Sequence, residues 1–178
     1  MGESLTMVVA IFLAAIMMFV FPMMAMSERS DDIAELNVQT IIAEFVSNAS
    51  NIGKITEESY DKLVSDLYAT GNTYDISMEI QILDENPAKK NTAIMGQSND
   101  KIGENIYYSI YTTQVLDTLE NSDNHTQYMK QGDILTVKAS NTNNTISQML
   151  KNFFYSLSGN DTYSIVGSDS RMVRVTGK

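Results

Sequence analysis

From Leu5 to Met26 the chain reads LTMVVAIFLAAIMMFVFPMMAM, 22 residues without a charged side chain. At about 1.5 Å per helical residue, such a run crosses the roughly 30 Å hydrocarbon core of a bilayer. It is apolar on every face, so packing one side against a soluble core would not hide it. The sequence therefore predicts a transmembrane helix within 1–29. Pro22 lies inside the run, where it removes one backbone hydrogen bond and is expected to kink the helix rather than end it. A cleaved signal peptide is the competing reading, because Ala25-Met26-Ser27 has the small residues of a cleavage site. Against it, no Lys or Arg precedes the run, and the run exceeds the usual apolar stretch of roughly 7–15 residues.

The remaining ~150 residues suffice for one domain with its own core. All 12 Lys and Arg lie beyond Met26 and Glu3 is the only acid before it, so this part carries 12 − 21 = −9 of the formal charge of −10. Such a surface repels phosphate backbones, which argues against nucleic acid as a partner. Arg29 is the one basic residue near the apolar run, so the positive-inside rule does not fix the orientation. The wealth of Asn, Ser, Thr and Tyr places the domain outside, on a single-pass protein of the cell membrane and cell surface. There is no cysteine, which removes disulfides, thiolate metal sites and cysteine nucleophiles together.

Beyond the polar break SERSDD, apolar residues recur at Ile33, Leu36, Ile41, Ile42, Phe45, Val46 and Ala49, the pattern of an amphipathic helix over 30–52 that continues or follows the first. A head domain is expected over 53–178. Thr56 is placed to cap a helix through Tyr60, Leu63, Val64 and Leu67 that stops at Gly71. Ile76, Met78, Ile80 and Ile82 alternate with polar residues as a half-buried strand does. A long loop is expected over 84–104, a strand over 106–112 and a short helix from Thr113 to Leu119. The run NSDNHTQ reads as a loop, 133–139 as a strand, and 145–157 as a helix facing inward through Ile146, Met149, Leu150, Phe153, Phe154 and Leu157. Two last strands, 163–167 and 172–176, are expected to flank a turn at Ser168-Asp169-Ser170. The order predicts an α+β fold: a long N-terminal apolar helix, then a head of mainly antiparallel sheet with packed helices.

No constellation points to catalysis, a metal or a cofactor, and the expectation is a protein that is not an enzyme. His125 is the only histidine and sits in an Asn-rich loop with no second ligand beside it. The acidic pairs Asp31-Asp32, Glu57-Glu58 and Asp84-Glu85 suit helix starts and turns better than acid–base chemistry. The glycines fit no phosphate-binding or nucleophile-elbow spacing. The methionines crowded into the first 26 residues adapt packing among helices or lipid more readily than they bind copper.

Three stretches carry a resemblance: GESLTMVVAIFLAAIMMFVFPM at the start, ITEESYDKLVSDLYATGNTYDISMEIQILDENP, and GDILTVKASNTNNTISQMLKNFFYSLSGNDTYSIV. Through them the whole chain resembles a family of small membrane-anchored proteins of Firmicutes, especially clostridia, encoded beside secretion or tight-adherence pilus machinery. More broadly, it resembles type IV pilins: an apolar helix after a glycine, a proline about twenty residues in, an amphipathic continuation and an α+β head. Only Met1 precedes Gly2 and Glu3 follows it directly, whereas pilin precursors have a basic leader and a glutamate about five residues after the processing glycine.

The resemblance implies a pilin-like structural subunit, processed at Gly2 and assembled with copies of itself and with pilus or secretion machinery. Glu3, Leu5, Val8, Phe12, Ala14, Ala15, Phe19 and Pro22 would then serve membrane insertion and packing among helices, Glu3 by neutralising a neighbouring amino terminus. The alternative is a monomeric, membrane-anchored accessory or binding module of a secretion apparatus, in which the apolar helix is an anchor alone.

Overall fold

A computed structural model describes residues 2–84, 107–143, 148, 149, 152 and 166–178. The expected loop over 84–104 falls almost wholly outside them, as do most of the helix expected over 145–157 and the first part of the strand expected over 163–167.

The first element is a single helix, α1 (Gly2–Ile52), 51 residues long, which takes in both predicted helical segments without a break at Pro22. With no N–H on Pro22, the carbonyl of Met18 loses its helical donor, yet the helix continues past it. Gly53 ends α1 at φ +76°, and a side chain there would collide with the backbones of Val175 and Gly177. A short strand, β1 (Lys54–Thr56), leads into α2 (Glu57–Tyr68). Thr56 caps α2 as its sequence predicts: its Oγ1 accepts from the Ser59 N–H at 3.2 Å, and Ser59 Oγ accepts from the Thr56 N–H at 3.0 Å.

There follow β2 (Tyr74–Leu83), β3 (Tyr107–Tyr111), α3 (Thr112–Asn121), β4 (Thr126–Tyr128), β5 (Ile134–Asn141) and β6 (Val166–Met172). The main sheet is antiparallel in the order β3-β2-β5-β6, and β1 pairs with β4 in a small second sheet. The register sets Met78 opposite Val137, Ile80 opposite Leu135 and Ala139 opposite Gly167, so one face of the sheet is a continuous apolar row. The other face carries Ser77, Glu79, Gln81, Thr136 and Lys138 and meets solvent. The fold is α+β, a long apolar N-terminal helix followed by helices packed on antiparallel sheet.

The core lies between the apolar face of the sheet and the second half of α1, where Val38, Ile42, Phe45, Val46 and Ala49 are buried together with Leu63 and Leu67 of α2 and Val115 and Leu119 of α3. Helix and strand approach closely at Gly167, where an added Cβ would sit 2.7 Å from Val38 Cγ1. Beside it, Gln39 grips the outer edge of β6, its Oε1 accepting from the Ser168 N–H at 3.1 Å and its Nε2 donating to the Ser168 carbonyl at 2.9 Å. The amide side chain thus stands in for one residue of a neighbouring strand at the β6 edge of the described sheet.

Five expectations are corrected. Ser168-Asp169-Ser170 is not a turn between two strands but the middle of β6, held in the ladder opposite Lys138, Val137 and Thr136. The chain beyond Met172 is a tail rather than a strand. It is tied in by backbone bonds from the Arg174 N–H to the Ser50 carbonyl (3.0 Å) and from the Gly177 N–H to the Met129 carbonyl (3.0 Å). The run NSDNHTQ contains a strand, β4, whose partner β1 is only three residues long. On α1, Ile33 and Leu36 stand in solvent while Ala34 and Val38 turn inward. At 148–149 likewise, Gln148 is buried and Met149 exposed, Gln148 facing Asn141 at the end of β5.

Candidate assembly surface

The predicted assembly residues share one property: Leu5, Val8, Phe12, Ala14, Ala15, Phe19 and Pro22 are all exposed along the free half of α1. The apolar 18-residue window that qualifies this helix for a membrane contains no buried residue. Gly2 opens the helix, and the side chain of Glu3 lies outside the described residues. Among the described residues none from the head covers this stretch, an apolar surface of a kind suited to lipid or to other helices. Ala14 and Ala15 lower the relief of the helix there, and small residues allow helix backbones to approach closely in lipid.

The head contributes buried polar joints that sequence reasoning did not single out. Asp133 is buried, and its carboxylate accepts from the Leu83 N–H at 2.9 Å and from the Lys130 N–H at 2.7 Å, while its carbonyl accepts from Val173 N–H. One residue thereby fastens the end of β2 and the turn before β5 through its side chain, and the start of the C-terminal tail through its backbone. Thr112 has a comparable role where β3 gives way to α3: its Oγ1 accepts from the Met78 N–H at 2.7 Å and lies 3.3 Å from the Met78 carbonyl. The strand–helix boundary, blurred in sequence, falls where a side chain takes over the ladder from the main chain.

His125 is a linking residue rather than a freely solvated one. It adopts φ 47°, its Nδ1 lies 2.7 Å from the Leu119 carbonyl and 3.3 Å from the Glu57 carboxylate, and its own carbonyl accepts the Glu57 N–H at the start of α2. Among the described residues, no group of three or more His, Asp or Glu is gathered to hold a metal. Two of the described groups titrate away from their ordinary ranges. The Ser109 hydroxyl and the Gln81 amide bond to Glu79 and hold its carboxyl low; burial, with Asp61 and Asp75 nearby, pushes the Tyr60 phenol up.

No family model, curated protein or solved structure matches the chain. The surface is therefore read from its own chemistry.

Proposed function

We propose that the protein is a pilin-like structural subunit: held in the membrane by α1, then packed with copies of itself so that the free halves of α1 form the core of a filament or short pseudopilus with the acidic heads outside. The observation that carries this reading is the division of labour along one helix. The half from Leu5 to Met26 contains no buried residue, while the half beyond Ala34 is built into the head core. A helix that served only as an anchor would not need to continue unbroken into the centre of the fold. Transfer from lipid into a helical bundle gains no hydrophobic energy, so assembly on this reading depends on close packing at Ala14 and Ala15 and on a driving apparatus.

Electron microscopy of material sheared from cells expressing the full chain tests the reading. Filaments that carry the protein, and that are lost when Ala14 and Ala15 are both replaced by Phe while membrane insertion persists, are the expected result. A protein found only as a monomer or in one-to-one complexes with a different membrane protein would overturn it in favour of an anchored accessory module.

A further inference from the structure

Two apolar features of the chain beyond Met26 are open at the surface. Ile33 and Leu36 project from the side of α1 turned away from the sheet, 53% and 68% exposed. Higher up, α1 and α2 enclose a groove of about 130 Å³ walled by Ile41, Phe45, Ile52 and Leu63. A cavity of about 150 Å³ accepts a benzene-sized group, so this groove has room for an aliphatic side chain. The charges at the two features differ. Asp32 and Glu35 flank Ile33 and Leu36, whereas the groove rim carries Lys54 and Lys62 against Glu44 and Asp66. Lys62 reaches Glu44 at 4.0 Å, and Lys54 makes no salt bridge among the described residues. On a chain of formal charge −10, this balanced rim is where an acidic segment meets little repulsion.

We propose that the Ile33–Leu36 turn of one copy docks into the α1–α2 groove of a second copy, with Asp32 of the first beside Lys54 of the second. The contact rests on the assembly reading above and specifies its geometry. The groove is centred about twelve residues further along α1 than the docking turn, which at about 1.5 Å per residue offsets parallel copies by roughly 18 Å along the helix axis. Subunits at equal depth in a bilayer cannot make it; a subunit displaced along the axis can. Because turn and groove are different surfaces, the contact is head-to-tail, and the axial offset keeps its repeat from closing into a ring, as a filament requires.

The absence of cysteine from the chain makes the test direct. A copy bearing Leu36→Cys and a differently tagged copy bearing Ile52→Cys are produced together, oxidised on intact cells, and sheared material is analysed for mixed disulfide dimers. The expected result is a mixed dimer in excess of either self-dimer. Its yield falls several-fold with Lys54→Glu on the groove copy and recovers with Asp32→Lys on the other. Filaments without the mixed dimer, or a dominant Leu36→Cys self-dimer, overturn the docking while leaving the filament reading intact. If the unmodified chain forms no filaments, the assembly reading fails and this contact fails with it.

Discussion

At the scale of single residues, the buried carboxylate of Asp133 makes the sharpest prediction. Asp133→Ala removes the acceptor from two part-buried N–H groups, Leu83 and Lys130. A fully buried orphaned donor costs about 1–3 kcal/mol and a part-buried one less, so the substitution should destabilise the full chain in detergent by about 1–3 kcal/mol in thermal unfolding. Asp133→Asn, which keeps one acceptor oxygen, should cost less. Glu79 offers a titration. Its pKa is depressed chiefly by the Ser109 hydroxyl and then by Gln81, so its contribution to stability is present above the ordinary carboxylate range and is lost as pH falls through the lowered value. Ser109→Ala should move the Glu79 titration upward in carboxyl-resolved NMR; an unchanged midpoint would remove the hydroxyl as the cause. Tyr60 behaves in the opposite sense. Burial, aided by Asp61 and Asp75, raises its pKa, so stability tied to the neutral phenol is intact below the ordinary tyrosine range and declines as pH climbs through it to the raised value. Tyr60→Phe should flatten that alkaline decline.

At the scale of elements, the fit of α1 against β6 is the point most sensitive to volume. Gly167→Ala places a methyl group 2.7 Å from Val38 Cγ1 and 3.0 Å from Ile42 Cδ1, and overpacking of this kind costs about 1–3 kcal/mol. Val38→Ala in the same molecule should recover part of that loss, a coupling that a double-mutant cycle would measure. Elements whose apolar periodicity runs several residues were legible in the sequence: the membrane-length run, α2 with its Thr56 cap, β2 and β5. Those that depend on distant partners were not. Val166–Met172 holds three consecutive polar residues that locally spell a turn, and it is a strand because β5 supplies the ladder on one side and Gln39 grips the other. β1 and β4 are too short to show alternation and exist only as each other's partner. On α1, the stripe was expected to include Ile33 and Leu36. Those residues are apolar without being core, so hydrophobicity alone could not distinguish a face for the sheet from one left open. The exposure of the first half of α1, by contrast, was visible because a run apolar on every face has no side to turn inward.

At the scale of the whole molecule, the free apolar half of α1 and the fold are one continuous piece. A chain shortened to residues 27–178 retains every core side chain and should stay folded in water without detergent, as circular dichroism and a cooperative melt would record. A chain shortened to 53–178 loses Val38, Ile42, Phe45, Val46 and Ala49 from the core and should not fold. The way α1 enters the head also bears on mechanics. A tensile load applied at the free end of α1 would not peel the helix away turn by turn. It would be spread as shear along the flank of the sheet, borne at the same time by the tight seat at Gly167, the twin grip of Gln39 and the C-terminal strap on Ser50. A tether joined to its cargo in this way yields only when the cargo itself comes apart.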